Sequence, residues 1–94
     1  MAIRLIVTVA AKPGKGHELA KAYPARSAEI RKEPGCEQFE VFQSVENPDK
    51  LLLMERWKDQ KALAVHAALK RPPLLPEFRA GSGEREDYQY NRTR

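Results

Sequence analysis

His66 is the side chain in this sequence best suited to proton transfer. It interrupts an apolar, alanine-rich segment, Lys61–Leu69, whose composition is typical of a helix. Ala62 and Leu63 precede it by four and three positions, so they should lie on the same side of that helix. A neutral imidazole ring can take a proton from a phenol or an enol near pH 7. The alternative is a histidine at the edge of the core that a single hydrogen bond satisfies.

Trp57 and Glu55 are two positions apart near the end of an apolar run, so they share one face of the predicted strand. Trp57 could stack on an aromatic substrate, or it could be a core residue, as most strand tryptophans are. Glu55 either pairs with a basic residue, for example at a dimer interface, or holds His66 in one tautomer. Arg56 points the other way and is either the partner of Glu55 across a two-fold axis or solvated.

Other kinds of reactive site find little support in the sequence. Cys36 has no neighbouring histidine or pair of basic residues to activate its thiol, so we expect a small strand residue rather than a nucleophile. No group of His, Cys, Asp and Glu has the spacing of a metal site. The turn at Lys12–Gly16 lacks the spacing of a phosphate-binding loop. We therefore expect no metal, flavin or haem.

Length and composition indicate one small globular domain, residues 1–94. The chain has 41% apolar and 32% charged residues, and its net charge is +4. Acidic residues are interleaved with the basic ones, so a nucleic-acid partner is not expected. No apolar run approaches the roughly 20 residues that span a membrane, and no signal peptide is evident. The single cysteine fits a reducing compartment, so we expect a cytoplasmic protein.

Hydrophobic periodicity and turn residues divide the chain into six elements. Pro24 lies inside the first helix and should kink or split it, Asp59 should cap the second helix, and the apolar segment Leu74–Phe78 is too broken by prolines to assign. In chain order the elements are a strand at Ile3–Ala10, a helix at His17–Lys32, strands at Cys36–Val45 and Leu51–Trp57, a helix at Asp59–Lys70, and a polar strand at Glu84–Asn91.

This order predicts a ferredoxin-like βαββαβ fold of the α+β class. Two right-handed crossovers would place both helices on one face of a four-stranded antiparallel sheet. Leu51–Met54 is apolar on both faces of its strand, so the face without helices would expose apolar side chains. The simplest cover is the same face of a second subunit, and we therefore expect a homodimer.

Several short motifs, in this order and spacing, resemble the antibiotic biosynthesis monooxygenase family, whose members are small dimeric α+β barrels. The motifs are Lys12-Pro13-Gly14, Glu33-Pro34-Gly35-Cys36, Asn47-Pro48, Glu55-Arg56-Trp57-Lys58-Asp59, and His66. The resemblance covers about Ile3 to Leu69. The family includes cofactor-free monooxygenases that oxidise quinols and polyketide anthrones, haem-degrading proteins, an isomerase of a phosphorylated signalling sugar, and proteins of unknown role.

The sequence departs from the family pattern at two places. The segment Arg71–Phe78 keeps an aromatic residue but lacks the histidine that members commonly carry there, and Pro24 is atypical within the first helix. Haem-degrading relatives have a tryptophan at the position of His66 and an asparagine early in the first strand, which is missing here. The resemblance therefore argues against haem as a ligand.

The resemblance implies a first functional hypothesis: a cofactor-independent monooxygenase that oxidises a small phenol, hydroquinone or anthrone with O2. His66 would be the base, Trp57 a wall of the site, Phe78 and Leu74 a lid, and Glu55 a further substrate contact. One alternative is an isomerase or lyase acting on a small metabolite, with His66 as the proton shuttle. Another is a non-catalytic dimeric binding or stress protein. A deep apolar cleft would favour the first hypothesis, convergent cations the second, and a filled core the third.

Overall fold

The computed structural model describes residues 1–81 and 83–90, and these form one sheet with two helices. The strands lie in the order β2-β3-β1-β4, and every neighbouring pair is antiparallel. The sequence of elements confirms the predicted ferredoxin-like α+β fold. The elements are β1 Ala2–Ala10, α1 Gly16–Ile30, β2 Cys36–Gln43, β3 Lys50–Trp57, α2 Gln60–Ala68, a 3₁₀ helix at Pro76–Phe78, and β4 Arg85–Tyr90. The polar fourth strand was predicted as far as Asn91, which lies outside the described residues.

The core lies between the helices and one face of the sheet. Along β3, Leu51, Leu53, Glu55 and Trp57 are buried, and the residues between them are only half-buried. This alternation assigns the first set to the helix-covered face. Both helices contribute to the core, which consists of Ile3, Leu5, Val9, Ala11, Leu19, Tyr23, Ile30, Phe39, Leu51, Leu53, Trp57 and Leu63.

Helix α1 passes through Pro24 without a break, so the predicted split does not occur. Proline removes one backbone donor, but Pro24 lies on the exposed side of the helix. Leu19, Tyr23 and Ser27, spaced four residues apart, keep the opposite side packed on the sheet. Packing of this face therefore outweighs the loss of one hydrogen bond.

The start of α1 is fixed to the turn between β2 and β3 by one carboxylate. Asp49 accepts hydrogen bonds from the backbone N–H groups of Gly14 and Gly16, at 3.0 and 2.9 Å. These donors belong to the helix N-terminus, where acceptors of negative charge are stabilising. A Cβ atom at Gly16 would overlap the carbonyl group of Pro48, so only glycine fits this approach.

Helix α2 is shorter than the sequence predicted and packs on the core through few side chains. Asp59 caps it as expected, accepting from the backbone N–H of Ala62 at 2.9 Å. The helix ends at Ala68, and Lys70 adopts a positive φ of 47° before the prolines that follow. Leu63 is the residue of this helix that is buried. Within the described ranges, no helix has the length and apolarity needed to cross a bilayer.

Candidate functional site

The turn after α1 brings Glu33 next to α2. Gly35 has a φ of 81°, and a Cβ atom at this position would overlap the side chain of Ala62. Its carbonyl oxygen accepts a hydrogen bond of 2.8 Å from the backbone N–H of Lys58, just after β3. The turn is thus held against both β3 and α2. His66, one helical turn beyond Ala62, then lies within reach of Glu33.

Glu33 and His66 form a short hydrogen bond between two largely buried side chains. His66 Nδ1 lies 2.7 Å from Glu33 Oε1, and the side chains are 20% and 9% exposed. A carboxylate can only accept, so Nδ1 carries the proton and, in the neutral ring, Nε2 keeps its lone pair. From the sequence, fixing this tautomer was one of two alternative roles of Glu55. Glu33 fills that role instead, across 33 positions of the chain.

Arg71 holds the second oxygen of the same carboxylate. Its Nη2 and Nε donate to Glu33 Oε2 at 2.9 and 3.1 Å, and its Nη1 donates to Glu29 at 3.2 Å. Such forked bonds combine charge with fixed geometry. Glu33 therefore cannot rotate toward or away from His66 without breaking its bonds to Arg71. In the sequence, Arg71 was noted only as the first residue of the segment Arg71–Phe78 that follows the second helix.

Trp57 and Glu55 lie beneath His66, in the interior of the protein. The rings of Trp57 and His66 are tilted by 31°, with centroids 4.5 Å apart. Trp57 is fully buried, and its indole N–H donates to Glu55 Oε1 at 3.0 Å. Glu55 is 5% exposed on the helix-covered face, so it does not lie on the open face where an interface partner was expected. Arg56, on the open side, pairs with Glu37 instead.

Phe78 is not brought to His66. Lys15 Nζ lies 5.3 Å from the centroid of the Phe78 ring, which places Phe78 at the N-terminal end of α1. Glu33 and His66 are at the other end, and a helix of 15 residues is roughly 22 Å long. Leu74 is half-buried and packs against the core. The segment thus runs along α1 from Pro72, whose carbonyl oxygen accepts from Arg26, to Phe78, so Phe78 does not cover His66.

Two clefts with volumes of about 360 and 590 Å³ lie away from His66. The larger is on the open face of the sheet, where Thr8, Phe42 and Leu52 contribute to its lining. The smaller lies between α1 and β2, and its lining includes Tyr23 and Ser27. His66 is not among the lining residues of either cleft, and its side chain is 20% exposed.

Cys36 lies close to this cluster but is poorly suited to nucleophilic attack. Burial, followed by the neighbouring carboxylates of Glu33 and Glu55, raises the pKa of its thiol. The reactive thiolate is thus disfavoured. Among residues 1–81 and 83–90, no group of three or more His, Cys, Asp and Glu side chains could hold a metal ion. The chemistry that this cluster can perform is therefore proton transfer at His66, whose ring is oriented by Glu33.

Solved structures of other proteins match this fold over most of the length of the chain. A conserved protein from Methanosarcina mazei Go1 is 32% identical, with 97% of this chain and 94% of that one covered and a TM-score of 0.83. A protein from Shewanella oneidensis is 25% identical, covering 93% and 88% of the two chains with a TM-score of 0.79. A structure described as an antibiotic biosynthesis monooxygenase is 22% identical, covering 96% and 99%, with a TM-score of 0.79.

Comparison of the sequence itself identifies the family of the chain. A comparison with curated protein sequences gives no match. Residues 2–82, however, match the family described as antibiotic biosynthesis monooxygenase. The match spans β1 to the 3₁₀ helix and includes Glu33, Trp57, His66 and Arg71. The chain therefore belongs to the antibiotic biosynthesis monooxygenase family.

Proposed function

We propose that this protein is a cofactor-independent monooxygenase that oxidises a small electron-rich phenol, hydroquinone or anthrone with O2. The observation that carries the proposal is the 2.7 Å bond between His66 Nδ1 and Glu33, which leaves Nε2 of the neutral ring as a base. Glu33 also stabilises the imidazolium that forms when Nε2 takes a proton, as the carboxylate of a catalytic triad does. Trp57 supports the ring from below.

The proposed reaction balances without an external reductant, as an anthrone illustrates. His66 removes a proton from the ring CH2 group, and the resulting anion gives one electron to O2. The radical and superoxide combine at that carbon, and the imidazolium returns its proton to form a hydroperoxide. Loss of water from the hydroperoxide leaves a C=O group. One oxygen atom enters the product, the other leaves as water, and the CH2 group supplies all four electrons.

The test is O2 uptake with a panel of hydroquinones and anthrones. We expect His66→Ala to lower turnover by roughly 10²–10⁴-fold. Part of the loss should be recovered at higher pH, where the substrate ionises without help. His66→Gln can still donate a hydrogen bond to Glu33 but cannot act as a base, so it should be inactive and well folded. His17→Ala is the matched control, since His17 is exposed at the start of α1 and far from Glu33. A fully active His66→Gln would remove this residue from the mechanism.

A second candidate, a non-catalytic binding protein of the same fold, is favoured by one observation. Trp57 is completely buried, so in this conformation its ring has no free face to offer a substrate. If the second candidate is correct, O2 uptake by the wild type should equal that of His66→Gln with every compound in the panel.

We also propose that the protein is a homodimer formed through the open face of the sheet. Ile6, Leu52 and Met54 are half-buried on this face, and Phe42 is 48% exposed. These side chains come from three neighbouring strands, so they form one apolar surface. A second copy related by a two-fold axis would cover it with the same residues.

A further inference from the structure

The cleft between α1 and the edge strand β2 has the size of a ligand site. Its volume is about 360 Å³, within the range of small-molecule pockets. Ala20, Pro24 and Val41 form the apolar part of its lining. These residues leave room for a flat or short apolar group alongside the helix.

Two hydroxyl groups in this cleft lack hydrogen-bond partners. Tyr23 and Ser27 are 5% and 4% exposed, and they lie four positions apart on one side of α1. Neither hydroxyl forms a hydrogen bond to any group in residues 1–81 and 83–90. Both hydroxyl oxygens remain accessible to solvent from the cleft, so a ligand bound there would meet them directly. Burial also raises the pKa of Tyr23, so its hydroxyl remains a donor.

A cation and a carboxylate complete the polar lining. Arg31 donates from Nη1 to the carbonyl oxygen of Phe39 at 2.8 Å, and this bond holds its guanidinium at β2. Glu40 also lines the cleft and accepts a hydrogen bond of 2.9 Å from Gln38. The formal charges of Arg31 and Glu40 cancel, which favours a monoanion over a doubly charged phosphate. The lining therefore offers several donors for an anionic oxygen, and the Glu40 carboxylate and the Gln43 amide oxygen as acceptors for a ligand hydroxyl.

We propose that this cleft binds a small hydroxylated carboxylate, such as a hydroxybenzoate. Its carboxylate accepts from Tyr23, Ser27 and Arg31, and its hydroxyl donates to Glu40. The apolar ring lies against Ala20, Pro24 and Val41. This site is separate from His66, which does not line the cleft, and it does not depend on the proposed oxidation.

The test is calorimetric titration of the full chain with 4-hydroxybenzoate at pH 7. We expect Tyr23→Phe and Ser27→Ala each to weaken binding by about tenfold or more, since each loses a hydrogen bond to a charged group. 4-Hydroxybenzyl alcohol, which lacks the carboxylate, should bind at least tenfold more weakly to the wild type. Tyr88→Phe is the matched control because Tyr88 is exposed on the opposite face of the sheet, and it should bind as the wild type does.

Thermal unfolding without ligand separates a binding role from a structural one. Since both hydroxyls are unpaired in the free protein, removing either should leave the melting temperature unchanged or raise it. Lost binding with an unchanged or higher melting temperature supports the site. Absence of 4-hydroxybenzoate binding at millimolar concentration, equal binding of the alcohol, or unchanged binding in both variants would overturn it.

Discussion

Replacing Glu33 with glutamine tests the most connected side chain of the candidate site. Glu33 presents two acceptor oxygens, one to His66 and one to the forked donors of Arg71. A glutamine amide has one acceptor oxygen and one NH2 group. If its oxygen faces His66, its NH2 meets the donors of Arg71. If it turns round, the NH2 meets Nδ1, and His66 must move its proton to Nε2, which removes the base.

The magnitude follows from what the amide leaves unpaired. One buried donor without a partner costs about 1–3 kcal/mol. Arg71 keeps its bond to Glu29, and its side chain is 28% exposed, so water limits the loss on that side. We therefore expect a destabilisation of about 2 kcal/mol. In a domain of this size that lowers the melting temperature by roughly 8–16 °C.

Two measurements on Glu33→Gln give independent readings. Thermal unfolding should show the lower melting temperature if the amide oxygen faces His66, and O2 uptake should fall by roughly 10²–10⁴-fold if the NH2 group faces His66 and holds the base in the wrong tautomer. Glu29→Gln is the matched control: Glu29 binds the same arginine, but its side chain is 63% exposed, so its loss should cost less than about 1 kcal/mol. A Glu33→Gln protein as stable and as active as Glu29→Gln would refute the reasoning.

Three further predictions concern the open face, the start of α1 and the single thiol. If the proposed dimer forms, Leu52→Glu should convert it to monomer in sedimentation experiments, whereas Val45→Glu, at a fully exposed turn position, should not. Gly16→Ala should cost about 1–3 kcal/mol in chemical denaturation because its Cβ overlaps Pro48; an equally stable variant would contradict the close approach. Folding raises the pKa of the Cys36 thiol above its ordinary value of 9.0. The contribution of this thiol to the free energy of unfolding is therefore fully present below pH 9.0, and it is lost as the pH rises through the folded-state pKa. The melting temperature should therefore fall less steeply with alkaline pH in Cys36→Ala than in the wild type. An identical slope in the two proteins would contradict this prediction.

Local patterns in the sequence predicted the elements of the fold well. The apolar run that begins at Leu51 and the helix-favouring residues around His66 predicted the type and order of their elements, because each signal lies within a few residues. The cap at Asp59 was predicted for the same reason. Pro24 was overestimated as a helix breaker, since the sequence alone did not say which side of the helix it would occupy.

The contacts that form the candidate site were harder to predict. Glu33 was noted only as part of the motif that ends the first helix, and its pairing with His66 depends on the tight approach of Gly35 to α2. The sequence did contain a signal for this close approach. A glycine that follows a proline at the end of a helix marks a tight turn, and the backbone of such a turn can lie close to a neighbouring element. The path of Leu74–Phe78 along α1 had no comparable signal, so the predicted lid did not reach the histidine.

The position of β1 between β3 and β4 has a consequence for synthesis of the protein. β1 is the first strand to leave the ribosome, but β3 follows about 50 residues later and β4 about 80. Until residues 85–90 emerge, one edge of β1 presents unpaired backbone groups beside an apolar surface. Such long-range pairing slows folding and exposes intermediates to aggregation. The nascent chain should therefore depend on chaperones more than its small size suggests.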